Sequence, residues 1–128
     1  MNQKEIVDYW VSEADESLGV ARHLFEKEDY SYALFFGHLA VEKILKAMLA
    51  QQSEEQVPRS HNLFRLAQEA GIETTDWLKH TLIRITTFNL ESRYPDYKKI
   101  FRRKCTKQFT EQELERVEEI FKWLKSKL

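Results

Sequence analysis

Apolar residues recur at the spacing of an α-helix through most of this 128-residue chain. In its first part, spacings of four and three alternate along one face, which predicts a helix over about residues 3–27. The residues on that face are Val7, Val11, Ala14, Leu18, Ala21 and Phe25. The acidic pair Glu28 and Asp29 follows and is expected to end the helix.

A second helix is predicted over about residues 31–52, where the stretch YALFFGHLAVEKILKAML is apolar around most of its circumference. Its main apolar arc is broad and forms a core face. The charged pair Glu42 and Lys43 nevertheless stands in the middle of this stretch. That pair needs a structural or functional explanation.

A polar stripe on the second helix offers one. His38, Glu42 and Lys46 follow at four-residue spacing, on the side opposite the apolar arc. Because Phe35 and Leu39 flank the stripe, we do not expect this side to face water alone. We predict that these five residues lie close to a twofold dimer contact or to the groove beside it.

A polar connection from Ser53 to Arg59 follows and contains Pro58. Ser60 is expected to cap a short third helix, HNLFRLAQEA, and Gly71 to end it, since glycine favours the position just past the last turn.

A fourth helix is predicted to start at a Thr75 or Asp76 cap. It is expected to end near Arg93 and Tyr94, because the residue before Pro95 is pushed out of the helical region.

Thr110 and Glu113 form a predicted capping box for a last amphipathic helix that reaches Leu128. Four longer helices and a short one are most simply packed as an antiparallel four/five-helix bundle with up-and-down topology and the short helix across one end. The sequence therefore predicts an all-α fold in a single domain over residues 1–128.

Composition narrows the functional classes. The net charge is −1, so any contact with a polyanion must come from a local cluster. The single cysteine, Cys105, excludes an internal disulfide framework and a cysteine-rich zinc site. No uninterrupted stretch of about 18 apolar residues occurs. We expect a cytoplasmic protein without a membrane segment.

Residues 93–107, RYPDYKKIFRRKCTK, form a basic segment with seven Lys or Arg against one acid, Asp96, a local charge of +6. Aromatic residues are interleaved with the cations, a composition typical of surfaces that neutralise phosphates and stack unpaired bases. The candidate binding residues are Arg93, Tyr94, Tyr97, Lys98, Lys99, Arg102 and Arg103. There are two alternative interpretations. The segment could bind a protein partner, or it could be a solvated loop whose positive charge balances the negative charge of the last helix.

Two histidines and one arginine are candidates for chemistry. His61 falls in the first turn of the predicted third helix, where it could act as a base or bind an anion, or could only help to cap the helix. His38 could pair with Glu42. Arg93 could contact a phosphate, or could pair with Asp96 or Glu42 and lock the end of a helix. The spacing of histidines and acids predicts no metal site, and we expect no cofactor.

Three separated segments resemble the HEPN family: SYALFFGHLAVEKILKAML, then SHNLFRLAQEAG, then FNLESRYPD. The resemblance spans nearly the whole chain. It implies a compact helical bundle that pairs as a homodimer. It further implies a partner, since many prokaryotic members are encoded beside a small MNT-type nucleotidyltransferase as toxin-antitoxin modules.

Catalytic members of that family are metal-independent ribonucleases with an Arg, four to six variable residues and then a His. The matching arginine here is Arg93, but Lys98, Lys99 and Ile100 occupy the candidate histidine positions. The sequence therefore favours a dimeric, nucleotide- or RNA-associated binding module. The alternative is a ribonuclease that uses Arg93 with an unorthodox partner such as His61 or Lys98.

Overall fold

A computed structural model describes residues 1–53 and 57–128 of the chain, and within them all regular structure is helical. Residues 54–56 of the predicted polar connection lie outside the described residues. The helices are α1 (Gln3–Glu26), α2 (Tyr30–Gln52), α3 (Leu63–Glu69), α4 (Asp76–Thr86), α5 (Pro95–Lys104) and α6 (Lys107–Lys125), with a 3-10 turn at Leu90–Ser92. The predicted all-helical bundle is confirmed, with one helix more than the sequence indicated. None of these helices is both long and apolar enough to cross a membrane.

Helices α1 and α2 form an antiparallel hairpin, and both begin and end within one residue of their predicted positions. Glu28 adopts a left-handed conformation with φ of 66°. This lets the amide of Asp29 donate to the carbonyl of Leu24 at 2.9 Å and the amide of Glu28 donate to that of Phe25 at 3.0 Å. These bonds satisfy the last free carbonyls of α1 and reverse the chain.

Helix α2 is the centre of the bundle. It packs against α1, α3 and α6 and also touches α4 and α5. Of its 23 residues 15 are buried, so it has almost no free face. Gly37 lets α6 approach closely, because a Cβ atom at this position would lie 3.2 Å from Cγ1 of Val117.

The start of α3 differs from the prediction. Asn62, and not Ser60, is the cap, since its side chain accepts a hydrogen bond from the amide of Arg65 at 3.1 Å. The Ser60 hydroxyl accepts from the amide of Asn62 at 3.1 Å and so shapes the turn before the helix. The predicted stop is confirmed: Gly71 follows the helix with φ of 74°.

The predicted end of α4 near Arg93 is wrong, because the helix already ends at Thr86. The hydroxyl of Thr87 donates to the carbonyl of Arg84 at 2.6 Å, a local bond that competes with helix continuation. Phe88 and Leu90 are both buried after this helix end. On a continued α4, residues two positions apart would point to nearly opposite sides, so they could not both face the core. Pro95 opens α5 and does not close α4, since proline is tolerated at a first helical position.

The predicted capping box of the last helix is also wrong. Thr106 caps α6 by accepting from the amide of Phe109 at 3.2 Å. Thr110 and Glu113 lie inside the helix and are buried. Thr106 and Thr110 are both suitable N-cap residues. The turn from α5 into α6 is short, so the helix begins at the earlier threonine, Thr106.

Candidate functional site

A buried carboxylate organises a polar cluster beside α2. The Glu42 side chain is 5% exposed, and its Oε2 accepts from Nζ of Lys46 at 3.0 Å. Its Oε1 accepts from Nδ1 of His61 at 2.7 Å. The Lys46 ammonium also lies 5.5 Å from the centre of the Trp10 ring. The charge of Glu42 is thus met by two partners from different parts of the chain.

The cluster fixes the orientation of His61. A carboxylate only accepts hydrogen bonds, so Nδ1 carries the hydrogen and a neutral ring keeps its lone pair on Nε2. The His61 side chain is 61% exposed, so a ligand can reach the ring. The carbonyl of His61 also accepts from Nε2 of His38 at 3.2 Å. Helix α2 therefore holds both the ring and the backbone of His61, an arrangement that suits a base oriented by a third group.

His38 is a neutral, structural histidine. It is fully buried, its Nε2 donates to a carbonyl, and within the described residues its Nδ1 has no hydrogen-bond partner. Burial lowers the pKa of His38 below 6.5, against the smaller opposing influence of the His61 carbonyl and the Glu42 charge. The predicted interaction of His38 with Glu42 is present only as a longer contact of 3.8 Å.

Stability is expected to depend on pH through His38. Its contribution is complete above pH 6.5 and is lost as the pH falls towards the lower pKa of the folded state, because only the unfolded chain then binds the proton. Urea unfolding between about pH 5 and 8 measures this. The variant His38→Asn, which does not titrate, should show a flatter profile.

The matched control is His80→Gln, at an exposed histidine of α4, which should keep the wild-type profile. Parallel pH profiles of the wild type and His38→Asn would contradict the assignment.

The polar stripe of α2, predicted to lie close to a contact surface, is covered within the single chain. His38, Glu42 and Lys46 are all buried within the single chain, as is Phe35, whereas Leu39 remains partly exposed. The reason is that Trp10 and the turn before α3 cover this side of the helix. Their proximity to a dimer contact stays a prediction.

Arg93 makes neither of its two predicted ion pairs. Its guanidinium lies 4.9 Å from the centre of the Tyr97 ring, and its buried Nε has no hydrogen-bond partner within the described chain. Tyr97 is itself fixed, because its hydroxyl donates to the carbonyl of Thr87 at 3.2 Å and its ring stacks on Phe101 at 6.2 Å. Arg93 is thus held by aromatic packing and retains unused donors.

The other predicted binding residues surround α5. Lys99, Arg102 and Arg103 are exposed and Lys98 is partly exposed. Within residues 1–53 and 57–128, no carboxylate forms an ion pair with any of these four cations. Tyr94, which precedes the helix, is 86% exposed.

The two predicted catalytic residues are not joined in the described chain, where no hydrogen bond or ion pair connects His61 with Arg93. Within the same ranges, no three His, Cys, Asp or Glu side chains converge as a metal-binding group. Burial raises the pKa of the Cys105 thiol to about 11, which disfavours the reactive thiolate form.

Sequence reasoning missed two features of the site. The first is α5 itself, although Tyr97, Phe101 and Cys105 at four-residue spacing are a helical signal. The second is the burial of Glu113, which was predicted to be part of a capping box and instead interacts with Arg84 and Arg116. No local pattern indicates its pairing with Arg84, because Arg84 lies on another helix.

Comparison with known proteins assigns the family. A model of the HEPN domain matches residues 7–127. The chain belongs to the HEPN family. No curated protein sequence matches this HEPN domain. Among solved structures, it resembles the crystal structure of TT1696 from Thermus thermophilus, with 22% identity and a TM-score of 0.77 over 95% of this chain and 98% of the other. This likeness shows a shared fold.

The three segments that carry the family resemblance can now be placed in the HEPN fold. The first contributes Glu42 from α2 and the second contributes His61 before α3, and these two side chains meet in the buried cluster. The third leads through the 3-10 turn to Arg93, which stacks beside α5. Two of the three segments therefore share one polar site, and the third borders the basic helix.

Proposed function

We propose that this HEPN protein is a dimeric binding module that contacts RNA or a nucleotide through the surface of α5. The observation that carries the proposal is the set of α5 cations without carboxylate partners in the described chain, next to the exposed ring of Tyr94. Cations on a helix are held at fixed spacing, so several can meet successive phosphates at once. Exposed aromatic rings add stacking that does not depend on sequence.

The acidic last helix does not account for this surface. The described ion pairs of the α6 carboxylates involve Glu113 with Arg84 and Arg116, and Glu118 with Arg22 at 2.8 Å. None of them reaches α5, which supports a partner from outside the chain. A test is the binding of a short single-stranded RNA to the wild-type protein over a series of salt concentrations. Absence of salt-dependent binding would reject the proposal.

The proposed homodimer binds an MNT-type nucleotidyltransferase, and the two proteins form a toxin-antitoxin pair. This part rests on the family resemblance and on the unpaired basic surface, which also suits an acidic protein. Co-expression with the product of a neighbouring nucleotidyltransferase gene tests it, with co-purification and relief of growth inhibition as the expected results. Absence of both would remove the paired-module part and leave RNA binding to be judged separately.

Leu39→Asp is expected to weaken the dimer, because it places a charge on the partly exposed apolar residue that flanks the polar stripe of α2. Sedimentation velocity should show a shift towards monomer at concentrations where the wild type is dimeric. Ile83→Asp is the control, since Ile83 is an exposed apolar residue on a different helix, α4. A monomeric wild type would contradict the dimer.

A second candidate function, metal-independent RNA cleavage, is favoured by the His61–Glu42 pair. The ring is accessible and Glu42 orients it, so Nε2 could accept a proton from a ribose hydroxyl. In this mechanism Arg93 stabilises the charge on the phosphate. This requires either an RNA that reaches both Arg93 and His61, or a second chain whose Arg93 lies near His61.

If this candidate is correct, pure protein cleaves RNA in the presence of a chelator, and His61→Ala lowers the rate at least about 100-fold. Arg93→Ala should do the same, whereas His80→Ala should not. Wild-type protein without activity, or undiminished cleavage by His61→Ala, would exclude the mechanism.

A further inference from the structure

A cleft of about 310 Å³ lies between α4, α5 and α6, beside the basic surface and apart from the Glu42 cluster. Four aromatic side chains line it, Phe88 from the turn after α4, Tyr97 and Phe101 from α5, and Phe109 from α6. Its size is at the lower end of the range for small-molecule sites, so it has room for a single ring system and not for a larger ligand.

Three of the four aromatic rings of the cleft pack on one another and form a fixed wall. Phe88 and Phe101 are buried, with ring centres 5.7 Å apart. Tyr97 stacks on Phe101 and is anchored to the carbonyl of Thr87. The cleft is therefore formed before any ligand arrives, which reduces the entropy lost on binding.

The charge around the cleft is positive. Its one acid, Glu113, is 3% exposed and is neutralised by Arg84, with which it forms a hydrogen bond, and by Arg116 at 3.6 Å. Lys104 has no carboxylate partner in the described chain, and its ammonium lies 5.3 Å from the centre of the Phe109 ring. A ligand with an anionic group beside an aromatic ring matches this arrangement.

The rim carries an uncovered apolar side chain. Ile100 lines the cleft and is 63% exposed, although it sits on the most basic helix of the chain. Ile100 and Lys104 lie one turn apart on α5, and Lys99 and Arg103 precede them by one residue each. A strand whose phosphates follow Lys99 and Arg103 thus passes beside the opening of the cleft.

We propose that the cleft accepts one unpaired base of an RNA strand whose phosphates lie along α5. The proposal rests on the proposed RNA-binding function and adds a specific base site to it. The base contacts Ile100 and Phe109, and Lys104 meets the adjoining phosphate. An RNA-binding surface of this kind distinguishes a strand with bases from a bare sugar-phosphate chain.

The experiment compares a short single-stranded RNA with an abasic ribose-phosphate oligomer of the same length. The wild type is expected to bind the RNA about tenfold more tightly than the abasic oligomer. Ile100→Ser should reduce this ratio to about threefold or less while leaving affinity for the abasic oligomer unchanged. Phe109→Leu is a second variant that should act in the same direction. Ile83→Ser, at an exposed isoleucine outside the cleft, should keep the full ratio.

Equal affinity of the wild type for the two oligomers would overturn the base site and leave the proposed RNA binding intact. A preference for RNA that survives in both cleft variants would also overturn it, since the base then binds elsewhere. No binding of either oligomer is the separate result that rejects the proposed function. Because Ile100 is mostly exposed, Ile100→Ser should fold as the wild type does, which circular dichroism checks.

Discussion

Replacing Lys98, Lys99, Arg102 and Arg103 together by alanine is expected to lower the affinity for single-stranded RNA about 100-fold at about 50 mM salt. Each cation that neutralises a phosphate releases a condensed counterion, so the loss should be largest at low salt. The slope of log affinity against log salt should decrease in magnitude by about 3, which is four contacts at roughly 0.7 each. Fluorescence anisotropy of a labelled oligomer over a salt series measures both quantities.

The matched control removes four exposed lysines from elsewhere, with Lys4, Lys27, Lys122 and Lys127 changed to alanine. It alters the net charge equally but should keep the wild-type salt slope. A quadruple α5 variant with unchanged affinity and slope would remove the nucleic-acid interpretation. A control variant that loses as much as the α5 variant would show that overall charge, and not α5, is responsible.

Glu42→Ala is expected to reduce the free energy of unfolding by about 3 kcal/mol or more, because it leaves the Lys46 ammonium buried without its carboxylate. It also frees the His61 ring from its hydrogen bond of 2.7 Å. Urea unfolding near neutral pH gives the size of the change. The histidine ring resonances report separately whether His61 has become mobile.

Two comparisons isolate the cause. Glu69→Ala breaks the exposed one-turn pair with Arg65 and should cost at most about 0.5 kcal/mol. The double variant Glu42→Leu and Lys46→Met removes both charges and should regain much of the lost stability, since no buried ion is left unpaired. Equal stability of Glu42→Ala and the wild type would show that the cluster contributes little to folding.

Local signals were sufficient for the elements whose boundaries depend on a few neighbouring residues. The α1–α2 hairpin and the stop at Gly71 follow from apolar spacing and from a position that needs a positive φ. Pro95 shows where local signals are ambiguous, because proline both ends a preceding helix and opens a following one. The sequence alone cannot choose between these roles, and the burial of Phe88 and Leu90 decides it.

The candidate site follows the same division. The positive charge of residues 93–107 is a property of composition and needed no structure. That these cations lie on a helix, and that Arg93 stacks on Tyr97 and does not pair with an acid, depends on how the turn after α4 packs.

By itself, the sequence determined that the protein is helical, that α2 is its most apolar helix and that positive charge concentrates after Arg93, since periodicity and charge are properties of neighbouring positions. Only the tertiary structure decided that the polar stripe of α2 is buried and that Glu42 holds His61. Periodicity records which side chains share a face of a helix. What covers that face depends on residues distant in sequence, here Trp10 and the turn before α3, and is known only once the chain has packed.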